Sequence, residues 1–232
     1  MKLLAIDTSG PVCGVAVLED ERVLCEFTAQ NRNTHSTNLM PMAEKALEAA
    51  GKTIREMDAV AAVTGPGSFT GVRIGVATAK GLAHGAGIPC IAVDALEALS
   101  ASAGEFDGVV CPIQDARAGQ VYCAAFRDGE RLTDNEPLQL EEFLKRILPM
   151  SERFLFLGDG VSVHRAKIQE ILGSKAFFAP PHLSYLRPSA AGILAVRKGK
   201  LTDYLNLQAT YLRPPNARKN QKLLEAMGMK QE

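Results

Sequence analysis

The order of short apolar runs in the first half of this 232-residue chain constrains its fold more than any other feature. Three runs come first, at residues 3–6, 13–18 and 23–27, and short polar turns separate them. Such close spacing predicts an antiparallel meander of three strands. Helical periodicity then alternates with apolar runs, so the predicted order of this half is β-β-β-α-β-α-β-α.

The later elements of this half are three helices and two strands. Helices are predicted at residues 36–51, 71–85 and 95–103, and strands at residues 59–64 and 88–93. A meander followed by alternating helices and strands favours an α/β fold in which helices flank a mixed sheet, as in the ribonuclease H-like fold.

The second half of the chain begins in the same way as the first. Apolar runs at residues 109–113 and 120–126, followed by a polar turn, repeat the strand–turn–strand rhythm of the amino terminus. In this repeat Asp115 takes the place of Asp7, which indicates an internal duplication with two mixed sheets. The predicted lobes are residues 1–105, and residues 106–232 as a second, degenerate lobe with a C-terminal helix and a basic tail.

Charge and aromatic content argue against direct capture of nucleic acid. The 26 basic and 26 acidic side chains leave a formal net charge of zero, and the chain has no tryptophan. Such a chain lacks the electrostatic field and the stacking platforms of proteins that bind nucleic acid unaided. The basic residues from Arg213 onward are more simply explained as a solvated end than as an RNA contact.

Cysteine usage and hydropathy predict a soluble protein of the cytoplasm. The five cysteines are an odd number without a C-x-x-C pair, which argues against a disulfide framework and a zinc ribbon. No apolar stretch approaches the ~20 residues of a membrane span. Asp7 interrupts the first apolar run too early for a signal peptide.

The aspartates that end the first strand of each meander resemble the phosphate-binding hairpins of the sugar kinase, Hsp70 and actin (ASKHA) superfamily. There, two hairpins face each other across a cleft, backbone N–H groups bind the phosphates of ATP, and carboxylates hold Mg²⁺. The candidates for nucleotide binding are Asp7, Thr8, Ser9 and Asp115. However, Arg117 stands where a small residue should admit the phosphates. A turn aspartate that caps its own backbone explains these residues equally well.

Neither a metal site nor a catalytic constellation is predicted. His35 begins the first helix, but the residue four positions later is Leu39 and not a second ligand. The loop at residues 65–71 is glycine-rich, yet its spacing is not that of a P-loop and no lysine follows Gly71. We expect this loop to be a rigid turn that packs the next helix on the sheet, and we expect no cofactor.

The second helix carries a ridge of small residues at every fourth position, namely Gly71, Gly75, Ala79 and Ala83. A helix that is small or apolar nearly all round is buried on more than one side. One side should cover the sheet, and the other should contact a helix of this chain or of a partner. We predict a partner interface there, with the alternative that the ridge packs inside the first lobe. The predicted interface residues are Leu39, Met42, Ala46, Gly71, Gly75, Ala79 and Ala83.

Five segments identify the chain as a member of the TsaB family, formerly called YeaZ. They are IDTS at 6–9, His35-Ser36, the highly specific GPGSFTGVRIG at 65–75, Asp115-Ala116-Arg117 and Tyr211-Leu212-Arg213. The resemblance implies a bacterial protein needed for the threonylcarbamoyladenosine (t6A) modification of tRNA. It implies a noncatalytic subunit that pairs with the transferase TsaD, joined by TsaE with ATP. A homodimer is implied when TsaD is absent, and contact with tRNA is expected to be indirect only.

The chain departs from its catalytic relative TsaD at the positions that matter for chemistry. TsaD carries an H-x-x-x-H metal motif in its first helix, and Leu39 replaces the second histidine here. The glycine-rich phosphate and adenosine segments of TsaD correspond here to residues 115–117 and 158–160. These departures favour a noncatalytic subunit. Two alternatives stay open, an ATP-dependent enzyme that uses Asp7 and Asp115, and a metallopeptidase-like (glycoprotease-like) protein.

Overall fold

The computed structural model describes residues 1–31 and 34–213 and contains two mixed sheets, each flanked by helices. The first half forms the predicted succession of elements. These are β1 (Lys2–Asp7), β2 (Cys13–Glu19), β3 (Arg22–Ala29), α1 (His35–Ala49), β4 (Ala59–Gly65), α2 (Phe69–Ala86), β5 (Cys90–Asp94) and α3 (Ala95–Ala101). No helix of the described residues has the length and apolar character that crossing a membrane requires.

The second half repeats the pattern and then adds a helix and a short strand. Its elements are β6 (Val109–Arg117), β7 (Gln120–Cys123), β8 (Phe126–Arg127), β9 (Glu130–Arg131), β10 (Glu136–Gln139), α4 (Leu140–Ile147), β11 (Phe154–Leu157), α5 (Gly160–Leu172), β12 (Ala176–Phe178), α6 (Pro188–Lys198) and β13 (Leu201–Thr202).

The strand order of the two sheets confirms the predicted duplication. The first sheet has the order β13-β5-β4-β1-β2-β3, and the second has the order β12-β11-β6-β7-β10. β1 pairs with β2 antiparallel and with β4 parallel. Likewise, β6 pairs with β7 antiparallel and with β11 parallel. β6 therefore occupies in the second sheet the place that β1 occupies in the first.

Side-chain alternation along β1 explains why this sheet needs helices on both faces. Leu4 and Ile6 belong to the buried cluster with α1 and α2, whereas Leu3 and Ala5 belong to the cluster with α3 and α6. A strand that is buried on both faces reads as a continuous apolar run, as residues 3–6 do.

The helix that covers the second face comes from the far end of the chain. α6 packs on β1 and β2, and β13 pairs antiparallel with β5. The division into residues 1–105 and 106–232 stays a prediction, but α6 and β13, which it assigns to the second lobe, lie on the first sheet. Of the predicted basic tail, only its first residue, Arg213, lies within the described residues.

The two lobes also share a buried core, which holds them together. Val110, Phe126 and Leu157 of the second half belong to the same apolar cluster as residues of the first sheet. At the edge of this cluster Arg131 pairs with the α3 N-cap residue Asp94 at 3.3 Å. The ends of β1 and β6 are therefore held in a defined relation to each other.

Candidate functional site

A cleft with a volume of about 470 Å³ separates the end of β1 from the end of β6. The first lobe contributes residues 9–11, His35 and residues 67–69 to its walls, and the second contributes residues 114–117, Tyr122 and Asp159. Residues 210–213 complete the rim. The two predicted hairpins thus do face each other, and Ser9 and Asp115 line the same cleft.

On the first-lobe side, the polar groups of residues 7–9 are used to hold the chain together. Asp7 is almost fully buried, and its Oδ1 accepts a hydrogen bond from Ser9 N at 2.8 Å. Thr8 Oγ1 donates to Gly71 O at 2.7 Å, and Ser68 N donates to Ser9 O at 2.7 Å. Burial raises the pKa of Asp7 to about 6, although hydrogen bonds from Ser9 act in the opposite direction.

On the second-lobe side, backbone N–H groups of the hairpin donate hydrogen bonds to carboxylates of the chain itself. Asp159 Oδ1 accepts from Asp115 N at 3.2 Å, and Asp115 Oδ1 accepts from Arg117 N at 2.9 Å. Asp7 and Asp115 therefore each cap the residue two positions later, which is the alternative that the sequence left open. A Cβ on Gly158 would overlap Ile113 O, so only glycine lets Asp159 approach β6 this closely.

Sequence reasoning did not single out Gln114, and it noted Asp159 only as part of a weak glycine segment. Gln114 lies buried at the cleft, and its Oε1 has no hydrogen-bond partner among the described residues. Leaving such an atom unsatisfied costs about 1–3 kcal/mol. The sequence feature that could have indicated Gln114 is a glutamine directly after the apolar run of β6.

The segment that follows β13 crosses the glycine-rich loop and reaches the second lobe. Thr210 N donates to Thr64 O at 2.7 Å, and Arg73 Nε donates to Tyr211 Oη at 2.7 Å. The Arg73 guanidinium also lies 3.7 Å from the centroid of Phe69. Arg213 then donates to Ala116 O at 2.7 Å. Residues of three distant motifs therefore meet at one edge of the cleft.

The small residues of the predicted interface ridge lie inside the first lobe, which is the alternative that the sequence left open. Gly71, Gly75, Ala79 and Ala83 are all buried, and a Cβ on Gly75 would lie 2.5 Å from Thr8 Oγ1. The small side chains let α2 approach β1 closely. The location of a partner interface stays a prediction. On α1, Leu39 and Ala46 are buried in the same way, and Met42 is half-buried.

No group of three or more histidine, cysteine, aspartate or glutamate side chains suited to a metal ion occurs within the described residues. His35 lies at the start of α1, as predicted, and its Nε2 is 2.9 Å from Gly10 O. This histidine therefore contacts the first hairpin.

Replacement of Asp159 by asparagine is expected to stabilise the chain at neutral pH. Burial raises the pKa of Asp159 from 3.8 to about 6, so the folded state favours the protonated carboxyl. The free energy of unfolding therefore falls as pH rises from about 4 to about 6, and it stays lowered at higher pH. Asp159→Asn should raise the free energy of unfolding by about 2 kcal/mol at pH 7.5 and change it little at pH 4. Urea unfolding of both proteins at the two pH values measures this, and an equal change at both would contradict it.

Comparisons with known proteins agree with this architecture. The family model described as "TsaD: tRNA N6-adenosine threonylcarbamoyltransferase" matches residues 22–221. The Bacillus subtilis protein named "tRNA threonylcarbamoyladenosine biosynthesis protein TsaB" is 36% identical over 217 residues, which cover 89% of this chain and 95% of that protein. Both likenesses extend across most of the chain.

Solved structures share the fold. A Pseudomonas aeruginosa protein, described as uncharacterized with similarity to peptidase YeaZ, has a TM-score of 0.73 and 27% identity over 91% of this chain and 99% of its own. Component A of (R)-2-hydroxyglutaryl-CoA dehydratase from Acidaminococcus fermentans has a TM-score of 0.53 and 12% identity, over 85% of this chain and 98% of its own, and shares the fold alone. The predicted two-lobed ASKHA fold is confirmed.

Proposed function

The chain belongs to the TsaB family of tRNA threonylcarbamoyladenosine biosynthesis proteins, and we propose that it is the noncatalytic partner subunit of a TsaD-type threonylcarbamoyl transferase. The match to the TsaD family model supports a partner with the same fold. TsaE with ATP joins the pair, and contact with tRNA is indirect, in keeping with the zero net charge of the chain.

The main support for a noncatalytic role is the hydrogen bonding inside the cleft. In an ATP-dependent relative the hairpin N–H groups must be free to bind phosphate oxygens. Here those of Ser9, Asp115 and Arg117 already donate to carboxylates of the chain. The carboxylates also oppose the approach of a polyphosphate by charge repulsion. The cleft is therefore poorly suited to hold ATP.

The partner surface in this proposal is the solvent-facing side of α2, not its buried ridge. We call the exposed residues Ala77, Gly81, Gly85 and Leu205 the open face. A Cβ added at Gly81 or Gly85 would meet no atom within 4 Å. Leu205 lies beside the helix, because Lys80 Nζ donates to its carbonyl oxygen at 3.2 Å, and it is 66% exposed.

The chemistry of the open face fits a partner of the same fold. Small residues let a second helix approach within the 8–10 Å that is usual between packed helices. The TsaD family model matches this chain across α2, so we expect a TsaD-type partner to have an equivalent helix and the two chains to pair about a pseudo-twofold axis. The same face, used by two copies of this chain, gives the homodimer expected when TsaD is absent.

Reconstitution tests the proposed function. The chain is combined with TsaD, TsaE, the enzyme that makes threonylcarbamoyl-adenylate, ATP, threonine, bicarbonate and tRNA. We expect t6A to form in the complete mixture and to fall to background when this chain is left out. Undiminished t6A without the chain would refute the proposal. ATP hydrolysis by the isolated chain that disappears in Asp7→Ala and Asp115→Ala would instead support an enzyme.

A further inference from the structure

The cleft contains one buried polar atom that nothing in the described part of the chain satisfies. Gln114 on β6 is 5% exposed and lines the cleft. Its Oε1 has no hydrogen-bond partner within residues 1–31 and 34–213. Since buried polar atoms in folded proteins are otherwise paired, this atom indicates where a ligand completes the hydrogen bonding.

The second-lobe wall of the cleft accepts hydrogen bonds and carries negative charge. Gln114 Oε1 can only accept, and the carboxylates of Asp115 and Asp159 line the same wall. A carboxylate has about four lone-pair sites, so Asp159 can still accept from a ligand while it accepts from Asp115 N. A primary ammonium group, with three N–H donors and a positive charge, matches this wall.

The first-lobe wall and the rim favour negative charge on a ligand. Ser68 and Phe69 are the N-cap and the first residue of α2, and they line the cleft, so the positive end of this 18-residue helix faces it. Arg213 is at the rim, and Arg117 of the second-lobe wall also lines the cleft. Arg213 uses one nitrogen to donate to the carbonyl of Ala116. A carboxylate group matches this side, because helix N-termini and guanidinium groups both bind carboxylates.

We propose that the cleft binds a free α-amino acid as its zwitterion. The α-ammonium group lies against Gln114 and Asp159, and the α-carboxylate lies between the start of α2 and Arg213. A volume of about 470 Å³ leaves room for a side chain as well. Phosphate esters fit less well, because the carboxylates face their negative charge. The inference goes beyond the proposed function and does not depend on it.

Calorimetric titration of the isolated full chain tests the charge pattern of the ligand. L-threonine serves as the probe, with L-threonine amide and N-acetyl-L-threonine as analogues that lack one of the two charges. We expect saturable binding of L-threonine with a Kd below about 1 mM and at least tenfold weaker binding of each analogue. Equal binding of an analogue, binding of Mg·ATP in preference to L-threonine, or no binding of L-threonine would overturn the proposal.

Two variants test the position of the ligand. Gln114→Met removes the unpartnered Oε1 at nearly constant volume, so we expect at least tenfold weaker binding of L-threonine with a melting temperature at or above that of wild type. Asp159→Asn keeps an acceptor for Asp115 N but removes the charge, and we expect a similar loss. Gln208→Met, on an exposed residue, is the matched control. Unchanged affinity in both cleft variants would show that solvent satisfies Gln114 and would refute the site. Reconstitution of t6A is unaffected by that outcome.

Discussion

Replacement of Gly71 by alanine is expected to destabilise the chain by at least about 3 kcal/mol, a large part of the stability of an ordinary domain. A Cβ on Gly71 would overlap the carbonyl oxygen of Thr8. Both partners are backbone, and Thr8 Oγ1 also donates to Gly71 O at 2.7 Å, so neither can move aside cheaply. Urea unfolding followed by circular dichroism measures the effect.

The same helix provides a matched control for this prediction. Gly81 has no atom within 4 Å of an added Cβ, so Gly81→Ala should stabilise the chain by about 0.5–1 kcal/mol through helix propensity. A Gly71→Ala variant that melts within about 2 °C of wild type would show that α2 does not approach β1 as closely as described.

Placement of a charge on the open face is expected to weaken pairing with TsaD by a few hundredfold or more. Ala77 is exposed in the free chain, so Ala77→Glu should leave the melting temperature near that of wild type. In the complex the added carboxylate would be desolvated without a partner at the centre of an interface of about 1,600 Å². Leaving such a charge unpaired costs roughly 3–5 kcal/mol. Titration of each variant with TsaD from the same organism gives the affinity.

The pseudo-equivalent helix of the second lobe supplies the control. Ala166 on α5 is also exposed, and Ala166→Glu introduces the same charge away from the open face. We expect this variant to pair with TsaD as wild type does. If Ala77→Glu pairs as tightly as Ala166→Glu, the partner surface lies elsewhere on the molecule.

Local patterns were sufficient to predict most secondary structure. The predicted strand at residues 59–64 is β4, Ala59–Gly65, because the run is short, apolar and bounded by a glycine-rich loop. The predicted start of α2 at Gly71 was late by two residues. The helix begins at Phe69 because Ser68 caps it, accepting from Gly71 N at 3.2 Å.

Local patterns could not predict the chemistry of the cleft. They put Asp7 and Asp115 at equivalent strand ends and left open whether these aspartates hold a ligand or cap the backbone. Asp159, whose carboxylate accepts a hydrogen bond from Asp115 N, lies 44 residues later in the chain. Gln114 became a candidate only when its burial and its lack of a partner could be seen together.

The sequence by itself determined the order of elements, the duplication and the family, because periodicity, turn residues and a long specific string are local properties. Only the tertiary structure decided which side of α2 is buried and that α6 returns to the first sheet. Small residues at every fourth position allow close packing, but they do not determine whether the helix packs on its own sheet or on a partner. The ridge packs on β1 because Thr8 bonds to Gly71 across 63 positions, and such a contact exists only once the chain has folded.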